Sequence, residues 1–196
     1  MIELRDLVFS YADRPVLNGV SLSLADGMHA AVMGPSGAGK STLLRLAMGL
    51  AQPKSGLVRS SGRIACVFQE PRLLPWCTAL ENVNCVLSDG PETLPAAEKW
   101  LSALELSACA GLYPDALSGG MQQRLAIARA LAFGGDTLLL DEPFKGFDAA
   151  LRERVIALLQ RECAGKTLLL VTHDADAAAR LAERTYLLSD GVLKIM

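Results

Sequence analysis

Apolar and polar residues alternate in two stretches near the start of the chain, and this alternation predicts strands with one buried face. Ile2 and Leu4 alternate with charged neighbours, and residues 20–24 alternate strictly between apolar and serine positions. Asp26 and Gly27 then predict a hairpin-type turn into another strand over residues 28–33. The chain is therefore expected to open with a segment of β-structure.

Short apolar runs further along the chain predict three more strands, over residues 64–68, 137–140 and 168–171. Helices are predicted over residues 40–50, 149–162 and 175–183. A closing hairpin is predicted across Asp190 and Gly191, between residues 186–188 and 192–195. This succession of strands and helices is typical of an α/β protein.

The middle of the chain differs from both ends, because strand signals are absent from about residue 71 to residue 133. Prolines at positions 71, 75, 91, 95 and 114 divide this region into short helical segments. We expect it to form a helical subdomain (about residues 71–133) within a single domain that spans residues 1–196.

Composition narrows the function classes. The chain has 196 residues, of which 51% are hydrophobic and only 5% aromatic, so we expect an aliphatic core. Its net charge of −2 and the lack of a basic stripe argue against nucleic acid as the main partner.

Five cysteines without C-x-x-C spacing indicate reduced thiols in a cytosolic protein. The charged N-terminus does not fit a signal peptide, and no apolar stretch is long enough to span a bilayer, so any action at a membrane would require a partner.

One stretch of nine residues contains the eight-position phosphate-binding pattern G-x-x-x-x-G-K-[ST] without a mismatch, followed by a threonine. It consists of Gly34, Pro35, Ser36, Gly37, Ala38, Gly39, Lys40, Ser41 and Thr42. Glycines let backbone N–H groups point at one phosphate chain, the lysine reaches the β- and γ-phosphates, and the serine hydroxyl is a ligand for Mg²⁺. A Gly-rich turn before an ordinary helix is the alternative. The apolar run just before the loop favours nucleoside triphosphate binding.

A second motif lies at the start of a predicted helix, after Leu117. Ser118 is a good N-cap, and Gly119 and Gly120 leave the first N–H groups of the helix uncovered, which suits an anion. A capped surface helix is the alternative. Two apolar runs also end in polar residues, Asp141 and Glu142 after the first and His173 after the second. The carboxyl ends of such strands are where α/β sheets bind ligands, although a single histidine there is more often structural.

The sequence Leu-Ser-Gly-Gly-x-Gln resembles the signature motif of ATP-binding cassette (ABC) ATPases, and the other elements occur in the order of that family. The resemblance covers essentially the whole chain. It implies an α/β fold, a P-loop NTPase of the ABC type with a mostly parallel sheet core, an N-terminal antiparallel β subdomain and a helical subdomain. It also implies an ATPase that uses ATP and Mg²⁺.

The resemblance implies roles for individual residues. Ser41 and Asp141 would hold Mg²⁺, Asp141 through water, and Gln69 would sense both Mg²⁺ and the attacking water. Glu142 would polarise that water and His173 would contact the γ-phosphate. Tyr11 lies where the family stacks an aromatic ring on adenine, but it could equally be an edge residue of a strand. The resemblance also places Asp148 among the nucleotide-binding residues.

The family also implies partners. Two copies would meet head to tail, so that Ser118, Gly119 and Gly120 of one copy cap the ATP on the other. A polytopic transmembrane permease subunit, with a solute-binding protein, would place the chain in the cytoplasm, peripheral on the inner face of the cell membrane. Residues 69–83 resemble ATPases of bacterial importers for nitrate, sulfonates and taurine. Leu73, Leu74 and Trp76 would form the docking surface for the permease, or they would pack inside the helical subdomain.

Several features depart from that subgroup. Lys145, Gly146 and Phe147 replace the usual residues before Asp148, which puts the contacts of this segment across the dimer in question. The interval from Gln69 to Ser118 is short, and the chain ends at Met196 with no room for an appended regulatory domain. An exporter, a soluble ABC ATPase that acts on a ribosome or another complex, and an ATP-gated interaction module are the alternatives to an importer. The presence of both Glu142 and His173 disfavours the interaction module.

Overall fold

The computed structural model describes residues 1–87 and 93–196, so Pro91 of the predicted helical segment lies outside the described residues. The strands are β1 (Ile2–Tyr11), β2 (Arg14–Leu24), β3 (His29–Met33), β4 (Ser55–Ser60), β5 (Ile64–Val67), β6 (Thr137–Asp141), β7 (Thr167–Val171), β8 (Arg184–Ser189) and β9 (Val192–Ile195). The α-helices are α1 (Lys40–Ala47), α2 (Ala79–Asn84), α3 (Thr93–Ala103), α4 (Gly119–Phe133), α5 (Ala149–Glu162) and α6 (Ala175–Leu181).

The chain divides into two compact units. The first comprises Met1–Ile64, Asp136–Glu142 and Cys163–Met196, and the second comprises Ala65–Gly135 and Pro143–Glu162. The second unit therefore includes the segment predicted to be a helical subdomain. No helix among the described residues is long and apolar enough to cross a membrane.

A three-stranded antiparallel sheet in the order β2-β1-β4 opens the first unit. The resemblance implies an antiparallel subdomain here, whereas β4 is not among the strands predicted from the sequence. The alternation in β1 is interrupted at Asp6, whose φ of 47° marks an irregularity in the pairing with both neighbouring strands. Gly56 of β4 lies opposite, where a Cβ would come within 2.5 Å of the Arg5 carbonyl oxygen. β1 is longer than predicted because burial resumes on the core side at Leu7 after this interruption.

The other sheet of the first unit carries the candidate site. β3 lies between β7 and β8 and is parallel to both, β6 is parallel to β7, and β9 closes the sheet antiparallel to β8. Every residue of β6 and β7 is buried, which explains their unbroken apolar runs. Since β3, β6 and β7 are parallel, their carboxyl ends meet at one edge of the sheet. The predicted closing hairpin is confirmed as β8 and β9.

One local prediction is wrong, and two predicted helices are present but end two or three residues early. Asp26 and Gly27 do not form a hairpin turn, because β2 and β3 belong to different sheets. α1 ends at Ala47 instead of residue 50, because Gly49 turns left-handed and Leu50 N–H donates to the Arg45 carbonyl oxygen at 2.9 Å. α6 ends at Leu181 because Glu183 N–H already pairs with the His29 carbonyl oxygen of β3.

Helices α2, α3 and α4 pack against one another in the second unit. Leu101, Leu104, Leu106 and Leu125 are among its fully buried side chains. A capping box fixes the start of α2, because the Thr78 hydroxyl accepts from Glu81 N–H and the Glu81 carboxylate accepts from Thr78 N–H. The loop before α2 is therefore anchored at its C-terminal end.

Candidate functional site

The loop over residues 34–39 connects β3 to α1 through glycines in unusual backbone conformations. Gly34, Gly37 and Gly39 have φ angles of 152°, 81° and 99°. A Cβ on Gly34 would lie 2.2 Å from the Leu188 carbonyl oxygen, and one on Gly39 would lie 2.7 Å from a methyl of Val16. Glycine is thus required in this predicted phosphate-binding loop by conformation and by space.

The start of α1 and the Lys40 side chain make this loop electropositive. Gly39 is the N-cap and offers no side-chain acceptor, so first-turn N–H groups stay free for an anion. The Lys40 Nζ donates to the carbonyl oxygens of Gly34 and Pro35 at 2.7 and 2.9 Å. The lysine ammonium is held against the loop backbone, where it can pair with a phosphate.

Asp141 is the last residue of β6 and is only 5% exposed. Burial raises the pKa of its carboxyl group, while a hydrogen bond with the Ser41 side chain acts in the opposite direction. Its Oδ1 atom is buried and has no hydrogen-bond partner among the described residues. A carboxylate oxygen without a donor, beside a serine hydroxyl, is the kind of oxygen donor set that Mg²⁺ prefers. Ser41 and Asp141 therefore fit a magnesium ion.

Glu142 and His173 meet at the same edge of the sheet. The Nδ1 atom of His173 lies 2.9 Å from the Oε2 atom of Glu142. The glutamate side chain is 16% exposed, whereas the histidine side chain is 82% exposed. Glu142 also has a φ of 47°, an uncommon conformation for a residue with a side chain. The strand edge therefore holds a nearly buried carboxylate that contacts an open imidazole.

Thr172 contacts the Glu142 carboxylate of this pair through its hydroxyl group. It is buried, and its hydroxyl lies 3.3 Å from the Glu142 Oε2 atom as a donor. The same hydroxyl accepts from Asp174 N–H at 3.0 Å, and Thr172 N–H donates to the Val32 carbonyl oxygen. Thr172 thereby fixes Glu142 relative to β3, the strand that leads into the phosphate-binding loop.

Tyr11 ends β1, and 47% of its surface is exposed. Its hydroxyl lies 3.4 Å from Thr42 Oγ1 and accepts from Arg45 Nη1 at 3.2 Å. These contacts lower the pKa of Tyr11, chiefly through Thr42, and burial opposes them. Phe9 packs edge-on against the ring at 4.9 Å between centroids. The ring is thus tied to α1, the helix of the phosphate-binding loop.

The signature motif lies in the second unit. Ser118 is the N-cap of α4, as predicted, and its hydroxyl accepts from Met121 N–H at 3.3 Å. Ser118 and Gly119 are exposed. A Cβ on Gly119 would meet nothing within 4 Å, whereas a Cβ on Gly120 would lie 3.1 Å from the Gly146 carbonyl oxygen. Only Gly120 is restricted by its own chain.

The unusual segment before α5 also lies in this unit. Phe147 packs edge-on against Phe144 at 6.3 Å, and Gly146 has a φ of 79°. Lys145 is exposed. Asp148 accepts from Leu151 N–H at 2.8 Å, so its side chain caps the first turn of α5. Phe147 is therefore partly occupied with internal packing.

Gln69 is exposed at the start of a loop over residues 69–78 in the same unit. The Arg72 guanidinium stacks over the Phe68 ring at 4.2 Å, close to this position. Further along, Leu73 and Leu74 are half-buried, whereas Trp76 is 73% exposed. Of the two predicted alternatives for this segment, internal packing does not describe Trp76.

Among the predicted site residues, the first unit brings together Lys40, Ser41, Asp141, Glu142 and His173 at the carboxyl ends of the parallel strands. Gln69, Ser118, Gly119, Gly120 and Asp148 belong to the second unit. The sequence reasoning missed Thr172 and Arg45. Thr172 carried a usable signal, a polar residue at the end of an apolar strand and directly before a candidate histidine, whereas Arg45 was one of many helix arginines.

Comparison with known proteins defines the class. Residues 17–145 match the family model described as ABC transporter, and the chain belongs to that family as an ATP-binding subunit with ATPase activity. More particularly, it is 45% identical over 205 residues to the aliphatic sulfonates import ATP-binding protein SsuB 1 of Pseudomonas aeruginosa, covering 96% of this chain and 82% of that protein. It is 44% identical over 197 residues to SsuB 2 of Nocardia farcinica, covering 98% and 82%.

Solved structures agree with this fold. A dimeric post-hydrolysis state of the ATP-binding cassette MJ0796, bound to ADP and phosphate, superposes with a TM-score of 0.91 at 33% identity. That match covers 99% of this chain and 97% of the other. An inward-facing, putative metal-chelate type ABC transporter matches with a TM-score of 0.82 at 28% identity, covering 100% of this chain and 82% of the other. The predicted ABC-type α/β fold is confirmed.

Proposed function

We propose that this chain hydrolyses ATP to drive the import of a small organic anion of the sulfonate class through a separate membrane subunit. The observation that carries hydrolysis is the contact between Glu142 and His173 at 2.9 Å, on the strand edge that holds Asp141. The cargo class and the direction rest on the relatives, which are named as aliphatic sulfonates import ATP-binding proteins.

The first unit would bind and orient the nucleotide. Backbone N–H groups of residues 34–39 and the Lys40 ammonium bind the phosphates, and Tyr11 stacks on the adenine. Ser41 and Asp141 would hold Mg²⁺, Asp141 through water, with Gln69 as a further contact. The ion, when bound, would neutralise charge on the phosphates. Its fit is supported by the unpartnered, buried Oδ1 of Asp141.

Glu142 accepts the proton of the attacking water in this scheme. Two contacts hold its Oε2 atom, one to Thr172 and one to His173, so the carboxylate has little freedom to turn. A fixed base lowers the barrier because orientation does not have to be gained during the reaction. His173 contacts the γ-phosphate from its exposed position.

The signature motif would act on a second copy. Ser118 and Gly119 are exposed at the start of α4, next to Gly120, and the solved relative MJ0796 is dimeric with ADP and phosphate. Two copies related by a two-fold axis would form two composite sites, each completed by the partner's signature motif and by Asp148. ATP would then hold the dimer closed until it is hydrolysed.

The membrane partner would dock on the loop after Gln69. Trp76 is a large aromatic side chain that is 73% exposed, and Leu73 and Leu74 flank it. An apolar surface of this kind suits a helix of a polytopic permease subunit. The chain would thus lie in the cytoplasm, on the inner face of the cell membrane, and a solute-binding protein would deliver the cargo to the permease.

The decisive experiment isolates the tagged chain from its own host after gentle membrane solubilisation. We expect a polytopic membrane protein in stoichiometric amount, released when Leu73, Leu74 and Trp76 are all changed to Ser. The matched control changes Leu112 and Tyr113 to Ser, since these side chains are 41% and 50% exposed on the same unit. Recovery with ribosomes or another soluble complex would reject transport and leave the ATPase assignment intact.

A further inference from the structure

Asn82 organises the loop that carries Trp76. This asparagine of α2 is completely buried. Its Nδ2 donates to the carbonyl oxygens of Leu74, Cys77 and Thr78 at 3.1, 3.0 and 3.1 Å. Its Oδ1 accepts from Leu74 N–H at 2.9 Å. The buried side-chain amide therefore fixes the backbone of the C-terminal half of the loop through these hydrogen bonds.

Arg129 of α4 holds the other half of the same loop. Its Nη2 donates to the carbonyl oxygens of Pro71 and Arg72 at 3.2 and 2.9 Å, and its Nη1 donates to Asn82 Oδ1 at 3.3 Å. Burial lowers the pKa of this guanidinium. Together the two side chains bind five carbonyl oxygens of residues 71–78.

We propose that Arg129 and Asn82 are positioning residues that lock the loop of Trp76 to the signature helix α4, so that a displacement of that helix moves the docking surface. The link is short. It runs from the backbone of α4 through one guanidinium to the loop carbonyls, without a flexible segment between them. The inference rests on the proposed docking role of Trp76, and it adds how that surface responds to the nucleotide.

The cost of breaking buried hydrogen bonds favours a rigid connection between α4 and the loop. A buried amide or guanidinium that loses its acceptors is costly, so the loop is expected to keep its five bonds whenever α4 shifts. Most loops move independently of nearby helices because few buried bonds hold them. This loop differs because five hydrogen bonds from the Asn82 and Arg129 side chains hold its backbone, although it also carries a highly exposed tryptophan.

The test uses Trp76 as its own reporter. The chain contains two tryptophans, so Trp100→Phe leaves Trp76 as the single tryptophan, whose emission is excited selectively at a wavelength that tyrosine does not absorb. In this background, acrylamide quenching reports the freedom of the loop, and the change of emission on adding ATP reports its response to the nucleotide. Arg129→Met is compared with Arg124→Met, because Arg124 is also on α4 but donates to the Leu104 and Glu105 carbonyl oxygens instead.

We expect Arg129→Met to reduce the ATP-induced emission change by about two- to thirty-fold, the range typical of coupling between sites. The quenching constant should rise only slightly, because Trp76 is already 73% exposed. The dissociation constant for ATP should stay within about two-fold of the parent, because Arg129 bonds to Asn82 and to loop carbonyl oxygens. A reduced emission change at an unchanged dissociation constant then reports lost coupling and not lost binding. Arg124→Met behaves like the parent. If Arg129→Met is insoluble, Arg129→Lys replaces it, because one ammonium cannot span the same three acceptors.

Equal behaviour of the two arginine variants would overturn the inference. It would also fail if ATP left the emission of Trp76 unchanged in the parent, or if Arg129→Met lost the response only by losing ATP affinity. These outcomes are independent of whether a membrane protein co-purifies with the chain. Failure of the proposed transport function and failure of the link are therefore distinguishable.

Discussion

The Oε2 atom of Glu142 lies 2.9 Å from the Nδ1 atom of His173, although the two residues follow different strands, β6 and β7. The contact arises because the strands are parallel and paired, so that Asp141 lies opposite Val171 and the residues beyond them leave the sheet together. The sequence places the carboxylate and the imidazole each after an apolar strand, and the pairing of the two strands brings them into contact.

Changing Glu142 to Gln should abolish turnover while ATP binding persists. The amide cannot accept the proton of the attacking water, and general bases contribute about a hundred- to ten-thousand-fold to rates. We expect phosphate release to fall by about a hundred-fold or more. Size-exclusion chromatography with light scattering should then show an ATP-dependent dimer, and a variant that stays monomeric at saturating ATP would contradict the two-copy site.

Thr172→Val tests whether the buried hydroxyl positions Glu142. The change removes the donor to Glu142 and the acceptor for Asp174 N–H, so we expect a loss of about 1–3 kcal/mol in the free energy of unfolding. The kcat should fall by about ten- to a hundred-fold with little change in KM, because the base is misplaced. Thr172→Ser keeps the hydroxyl and serves as control; equal losses in both variants would argue against positioning.

The tether between Tyr11 and Arg45 can be measured by a double-mutant cycle. Tyr11→Phe removes the hydroxyl and keeps the ring, and Arg45→Met removes its donor. Each change should weaken ATP binding by about 0.5–1.5 kcal/mol, and the double variant should be no worse than the single ones. Isothermal titration with ATP supplies the constants. If Tyr11→Ala binds ATP like the parent, the ring does not stack on adenine.

Gly119 and Gly120 should respond differently to alanine. A Cβ on Gly119 meets nothing in its own chain, so Gly119→Ala should leave the free energy of unfolding within about 0.5 kcal/mol of the parent. Its ATPase activity should nevertheless be lost if a second copy's nucleotide packs there. Gly120→Ala should destabilise by about 1 kcal/mol, because its Cβ presses on the Gly146 carbonyl oxygen. Full activity in Gly119→Ala would count against the composite site.

Asp141→Asn should be more stable than the parent at neutral pH when nucleotide and metal are absent. Burial raises the pKa of Asp141 in the folded chain, so this group takes up protons more readily folded than unfolded. Its contribution to stability is therefore present below the unfolded pKa near 3.8 and is lost as pH rises through the folded pKa. Asparagine does not ionise, so its advantage should grow across that range.

Urea unfolding of both chains at a series of pH values measures this difference. Magnesium-dependent ATP hydrolysis should be lost in the same variant, since an amide is a poorer ligand for Mg²⁺. A parent chain that is more stable than Asp141→Asn at neutral pH would show that the Ser41 hydrogen bond outweighs burial.

Much of the fold could be predicted from the hydrophobic pattern because its core strands are uninterrupted apolar runs. β6 and β7 are apolar runs buried throughout, and α5 occupies residues 149–162 as predicted. The failures have local causes. The reversal at Gly49 depends on two backbone hydrogen bonds, and the irregularity at Asp6 depends on pairing with two other strands, so neither leaves a periodic signal.

Some residues of the candidate site could likewise be predicted from the sequence, and others could not. Gly34, Gly39 and Lys40 could be recognised because backbone conformation and charge fix residue type at fixed spacing. Thr172, Arg45, Asn82 and Arg129 act by contacts over 30, 34, 8 and 47 residues of sequence, and only the folded chain brings their partners within reach.

The backbone of Glu142 has a consequence for attempts to engineer this subunit. A left-handed conformation costs a side-chain-bearing residue about 1–2 kcal/mol, and glycine or asparagine would relieve part of it. Laboratory evolution that rewards only heat resistance would thus enrich replacements at position 142. Such libraries would accumulate robust proteins unable to turn over nucleotide, so any screen for hardier versions of this subunit must score phosphate release in parallel.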